Sequence, residues 1–146
     1  MKKYKDILIP IISGSLVGLI IKNSINIKNL YNPPLAPPSW IFPIAWSTIY
    51  ILMGYSYYLH RKNNYPSISK IYYSQLICNL LWPIIFFNLN QRLLSLIDII
   101  ILDILVIKLF IKYYKRNKKI AYLNILYLIW ILYATYLNIG FYILNR

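Results

Sequence analysis

Residues 120–144 read IAYLNILYLIWILYATYLNIGFYIL, a stretch without a single Asp, Glu, Lys, Arg or His. A helix that crosses a bilayer needs about 20 predominantly apolar residues, so this segment by itself predicts an integral membrane protein. Working back along the chain, four more stretches have the required length: 93–114, 69–88, 40–60 and 6–26. The five spans leave no room for a soluble domain. They predict an all-α integral membrane protein, a five-transmembrane-helix bundle forming one domain over residues 1–146. Short linkers favour antiparallel neighbours in such a bundle. The first span has a long apolar core and no small-residue cleavage site after it, so it is read as a span and not as a signal peptide.

Composition agrees. The chain is 60% hydrophobic and 13% charged, against about 25% charged in an ordinary soluble domain. Sixteen Lys and Arg face three acids. A nucleic-acid binder gathers its cations on one face of a soluble fold; here they fall between apolar runs, and no nucleic-acid partner is expected. One cysteine, Cys78, and one histidine, His60, exclude a disulfide framework, a Cys cluster and a His-rich metal site. No metal and no obligatory cofactor is expected.

Loop charge orients the bundle. Lys2, Lys3, Lys5, Arg61, Lys62, Lys70, Lys112, Lys115, Arg116, Lys118 and Lys119 fall on one side, and Lys22, Lys28, Arg92 and Arg146 on the other. The positive-inside rule then puts the amino terminus in the cytoplasm and the carboxyl terminus outside. The cations also suit contact with anionic lipid. Between the first two spans, 27–39 carries Pro33, Pro34, Pro37 and Pro38. Proline fixes its own backbone angle and biases its predecessor away from helix, which predicts a rigid cap in the position of a ligand lid.

The chemistry sits on helical faces. Positions i, i+3, i+4 and i+7 share a face. This aligns Phe42, Trp46 and Tyr50 in the second span, Gln75, Asn79, Trp82 and Phe86 in the third, and Trp130, Ala134 and Asn138 in the fifth. Amides are costly in hydrocarbon without partners, so Gln75, Asn79 and Asn138 are expected to point inward and carry the aromatic residues with them. One stripe alone reads as interhelical packing. Three stripes under a proline-rich cap predict a cavity for a large, flat, apolar ligand, stacked on indoles and oriented by amides.

Three segments carry a family resemblance: PPSWIFPIAWSTIYILMG (37–54), YSQLICNLLWPIIFF (73–87) and YLIWILYATYLN (127–138). They resemble the TspO/MBR family, the family of translocator proteins and peripheral-type benzodiazepine receptors, with all five spans in order and a matching pair at Leu144 and Asn145. The resemblance implies a pocket for porphyrins, haem, sterols and benzodiazepine-type compounds under the first loop. By motif position it implies a lining of Trp46, Tyr50, Asn79, Trp82, Phe86, Trp130 and Ala134, with Pro37, Pro38 and Trp40 shaping the lid. Trp46 and Trp130 match positions linked in some bacterial members to light-dependent porphyrin breakdown. The chain departs from the family where Asn26, Ile27, Asn32 and Leu35 replace loop aromatics and a lysine, and where Leu126 replaces a proline.

Other features have simpler readings. Asp98 and Asp103 lie mid-span on one helix, five residues apart and about 140° round it, so they cannot share a face. Asp98 is read as a structural hydrogen-bond partner, and Lys108 as reaching Asp103 or snorkelling. His60 is expected at the interface, with no ligand role. Gly14 and Gly18 form a GxxxG, suited to packing within the chain or to a homodimer. Pro83 is expected to kink the third span.

These features predict a membrane receptor or sensor for tetrapyrrole-like or sterol-like ligands in a bilayer, with no enzymatic turnover beyond photo-oxidative porphyrin loss. The alternatives are a small transporter of apolar or anionic solutes, for which Asp98 is the discriminating residue, and a structural membrane subunit.

Overall fold

The structure is a computed structural model that describes residues 2–22, 33, 34, 37, 38 and 40–145. Described residues form helices and turns only: α1 (Lys2–Ile21), α2 (Ile41–Lys62), α3 (Ser69–Pro83) with a π-helical turn (Ile84–Asn88), α4 (Arg92–Arg116), α5 (Lys118–Leu123) and α6 (Ile125–Leu144). The second expected span corresponds closely to α2 and the fourth to α4. The first begins earlier than expected, and its tail at 23–26 lies outside the described residues, as does most of the 27–39 loop.

Two expected spans are not single α-helices. Pro83 has no N–H to offer Asn79, so the helix stops there and the chain continues with wider bonds, Leu89 N–H to Ile84 O at 2.9 Å. A proline and a π-turn are coupled in this way wherever the regular ladder loses a donor. The last span is broken at Asn124, which leaves helical geometry (φ −100°, ψ 4°). Its side-chain amide donates to Ser56 Oγ at 2.9 Å and to Ile120 O at 3.0 Å. Upstream, extended Asn117 separates α4 from α5 and caps α5 by accepting from Lys119 N–H at 2.9 Å.

α1 packs chiefly on α2, α3 on α4, and α4 on α6. At the α1–α2 crossing, a Cβ on Gly54 would lie 2.8 Å from Ile7 O and 2.9 Å from Asp6 O. Asp6 O is the carbonyl that Pro10 cannot bond, and glycine lets the second backbone approach it. The crossing is closed by Arg61, whose Nη1 donates to Asp6 Oδ1 at 2.7 Å.

The outside is apolar. Leu8, Ile12, Leu16 and Leu19 on α1, Ile97, Ile100, Ile104 and Ile111 on α4, and Ile125, Ile129 and Leu132 on α6 are all exposed. The amides Gln75, Asn79 and Asn138 are fully buried. An apolar exterior over a polar-threaded interior is the reverse of a soluble protein. Among the described residues, the helices long and apolar enough to cross a membrane by length and composition are Tyr4–Ile21 and Ile125–Leu144.

Candidate ligand-binding site

All three expected stripes converge. Tyr50 O–H donates to Asn79 Oδ1 at 2.8 Å, Asn79 Nδ2 donates to the Tyr127 hydroxyl at 2.8 Å, and Tyr127 O–H donates to Gln75 Oε1 at 2.7 Å. Gln75 Nε2 ends the chain on Met53 Sδ at 3.4 Å. A second chain runs from Trp82 Nε1 to Asn138 Oδ1 at 2.8 Å, and from Asn138 Nδ2 to Arg92 O at 3.0 Å. Each amide thus both donates and accepts, the condition for burying it in an apolar bundle.

The rings interlock above these amides. Trp46 lies 5.8 Å from Trp82 and edge-on to Trp130 at 6.3 Å, while Phe86 stacks on Trp82 at 5.0 Å. Phe42 meets Trp130 edge-on at 6.0 Å. Ala134 is fully buried. So Trp46, Tyr50, Asn79, Trp82, Phe86, Trp130, Ala134 and Asn138 fall in one contiguous cluster. Two of its members are electrostatically incomplete: the indole N–H groups of Trp46 and Trp130 are buried without an acceptor.

A cavity of about 710 Å³ adjoins this cluster, between α1, the first turns of α2 and the end of α3. Its walls include Gly14, Val17 and Gly18 of α1 and Lys22 just beyond it, Trp40, Phe42, Trp46, Ser47 and Tyr50 at or in α2, and Pro83 and Phe87. Of the eight expected lining residues, Trp46 and Tyr50 face this space. The other six make up the packed floor behind them. Trp40 is 64% exposed at the mouth; Pro37 is half-buried, and Pro38 is exposed and starts α2 by accepting from Ile41 N–H at 3.1 Å. Asn26, Ile27, Asn32 and Leu35 lie outside the described residues.

The two glycines of α1 differ. A Cβ on Gly14 would collide with the Tyr50 ring, whereas one on Gly18 would meet nothing within 4 Å. Gly14 therefore serves packing within the chain, and Gly18 opens onto the cavity. Nothing in the polar stripes pointed to α1, and the GxxxG spacing was its one sequence signal. Tyr127, which joins two amides, lies on the same face as Ile131, Ala134 and Asn138 and was legible by the spacing rule.

On α6, Tyr136 O–H donates to Pro34 O, and a Cβ on Gly140 would collide with Pro33. The loop prolines are thus seated in a notch on α6. Asp103 accepts from Thr135 Oγ1 at 2.7 Å, not from Lys108, which is exposed. Asp98, expected to be a hydrogen-bond partner, keeps Oδ2 buried without one. His60, expected at the interface, is 1% exposed, its Nε2 2.8 Å from Pro66 O and its ring edge-on to Tyr113. The described residues hold no group of three metal-ligating side chains.

An aromatic–amide floor beside a cavity, inside a helical bundle with an apolar exterior, is the arrangement of a membrane protein with an internal binding space. Residues 7–144 match the TspO/MBR family. The chain is 41% identical over 116 residues to the tryptophan-rich protein TspO of Archaeoglobus fulgidus, covering 77% of this chain and 75% of that one. It is 32% identical over 145 residues to the translocator protein homolog of Schizosaccharomyces pombe, covering 94% and 88%. It is 28% identical over 122 residues to the tryptophan-rich sensory protein of Cereibacter sphaeroides, covering 83% and 77%. The chain belongs to the TspO/MBR family, whose members are embedded in membranes.

Proposed function

We propose that the chain is a multi-pass membrane receptor or sensor that binds a flat, largely apolar ligand of the tetrapyrrole or sterol class. Five segments cross the bilayer: α1, α2, α3 with its π-turn, α4, and α5 with α6. The amino terminus is read as cytoplasmic by the positive-inside rule, a reading supported by Arg61 and Lys118 lying at the same end of the bundle as the start of α1. The observation that carries the reading is the cavity of about 710 Å³ walled by Trp46, whose indole N–H is buried without an acceptor, as is that of Trp130 in the floor behind it. Buried donors without partners are costly, and a ligand with ring nitrogens or carbonyls offers what they lack. The rings supply stacking surface, and the amide chains behind them hold the floor rigid.

Axial ligation of haem uses His, Cys, Met or Tyr. His60 is remote from the cavity and Tyr50 is committed to Asn79, so a tetrapyrrole is held by shape and stacking, and metal-free porphyrin serves as ligand.

The test is a tryptophan-fluorescence titration with protoporphyrin IX in detergent, in the dark and then under light, with inner-filter correction. Saturable quenching that weakens in Trp46→Phe and Trp130→Phe is expected, and light-driven loss of the porphyrin reads out the photochemical role of the pair. Quenching that never saturates, for porphyrin and for a sterol competitor alike, would remove the reading. A transporter is the second reading, favoured by Asp98 in the second turn of α4, whose Oδ2 is buried without a partner. It requires Asp98→Asn to abolish solute flux in vesicles while leaving binding intact.

A further inference from the structure

We infer that Arg92 is a docking point for an acid group at the loop end of the site, taking a ligand that joins an apolar body to a carboxylate or phosphate. The inference rests on the binding-protein reading above and narrows the ligands it admits.

Arg92 opens α4 and is fixed to the aromatic floor twice over. Its guanidinium carbon lies 5.9 Å from the centroid of Phe86, the ring stacked on Trp82. Its carbonyl accepts from Asn138 Nδ2 at 3.0 Å and from Ser95 Oγ at 2.9 Å. Yet Nε is buried with no acceptor.

The chain cannot supply a counter-charge from its acidic side chains, of which it has three. Asp6 is engaged by Arg61 at 2.7 Å and Asp103 by Thr135 at 2.7 Å. Asp98 lies six positions along α4 from Arg92, which at about 100° per residue turns it well away. Arg92 is half-buried, and its Nε–H is a buried donor without an acceptor; such a donor is unfavourable, and a guanidinium fork matches carboxylate and phosphate geometry.

The placement suits an amphipathic ligand. Phe86 lies 4.9 Å from Phe87, which walls the cavity, and Lys22 lines the same space. Both Lys22, beyond the end of α1, and Arg92, at the start of α4, belong to the loop end of the bundle. Lys22 lines the cavity itself, and Arg92 is joined to its wall through Phe86 and Phe87 at the same end of the bundle. A neutral sterol leaves both unanswered; a tetrapyrrole side-chain carboxylate or an anionic phospholipid answers them.

The full chain is reconstituted in phosphatidylcholine nanodiscs and titrated with protoporphyrin IX and with its dimethyl ester, which keeps the ring and has no free acid. The diacid is expected to bind about ten- to a hundredfold more tightly, the range for a charge-assisted hydrogen bond. Arg92→Gln brings the diacid to the affinity of the ester, and Arg92→Lys keeps part of the difference. In phosphatidylglycerol nanodiscs, a fall in diacid affinity for wild type but not for Arg92→Gln identifies a lipid phosphate as a competing occupant. Equal diacid affinity in both lipids identifies the ligand's own acid; either result supports an acid-group site. Equal affinity of diacid and ester in wild type overturns the inference and leaves the binding-protein reading standing, a comparison that needs no variant. So does a diacid preference that survives Arg92→Gln with wild-type helicity and melting. If wild type binds neither compound, both conclusions fall.

Discussion

Tyr50 stands between the cavity and the buried amides: its ring walls the empty space, and its hydroxyl donates to Asn79 Oδ1 at 2.8 Å. One side chain thereby ties α2 to α3, and through Tyr127 to α6. Removing the hydroxyl leaves an amide oxygen buried and unanswered, at a cost of about 1–3 kcal/mol. Tyr50→Phe is expected to lower the apparent melting temperature in detergent by several degrees. An unchanged melt would mean that water or a rearranged Asn79 replaces the bond.

Gly14 and Gly18 share a motif but not a role. Gly14→Ala drives a methyl into the Tyr50 ring, and overpacking of this kind typically costs about 1–3 kcal/mol. Gly18→Ala meets open space and gains the helix propensity of alanine, about 1 kcal/mol. Thermal melts of the two variants are expected to move in opposite directions. Equal destabilisation by both would argue for a helix partner seated on the whole GxxxG face.

Asn138 answers Trp82 Nε1 with its oxygen and Arg92 O with its amide. Asn138→Ala strands the indole N–H in the core and removes the Asn138 bond to Arg92 O. A loss of about 1–3 kcal/mol is expected from the stranded donor, read by denaturation, together with a shift in the tryptophan emission. Trp82→Phe made alongside it is expected to restore part of the loss, since the stranded donor is then gone.

The seat of Pro33 and Pro34 on α6 is expected to govern ligand exit. Tyr136→Phe removes the bond to Pro34 O, and Gly140→Ala pushes against Pro33. Both substitutions are expected to speed porphyrin dissociation in stopped-flow; at exposed Tyr136 stability changes by less than about 1 kcal/mol, while Gly140→Ala carries the overpacking cost of about 1–3 kcal/mol. Dissociation rates equal to wild type in both would remove any gating role from the notch.

Much of this was legible in the chain, and the reasons differ by feature. Gln75, Asn79 and Asn138 declare themselves because an amide in an apolar helix has few places to go. The helix ends at Pro83 and Asn117 follow from local backbone chemistry. Asn124 did not stand out within 120–144, because its break depends on Ser56, sixty-eight residues away. His60 looked like an interfacial residue by position, yet Tyr65 and Tyr113 enclose it. The cavity itself was displaced toward α1, since which part of an aromatic cluster stays open is settled by how tightly the other rings pack. Trp46 and Tyr50 wall that cavity, and the other six expected residues lie in the cluster behind them.

The break at Asn124 also bears on the bilayer that surrounds the protein. At about 1.5 Å per residue, the 20 residues of α6 span about 30 Å, close to the hydrocarbon thickness of an average membrane. Helices ordinarily meet a thinner or thicker membrane by tilting. Here Asn124 is pinned to Ser56 of α2, so α6 cannot slide or lean without pulling that bond. On the membrane reading proposed above, a mismatch in thickness is passed from α6 to α2, the helix that carries Trp46 and Tyr50, and the site becomes sensitive to the lipids around it.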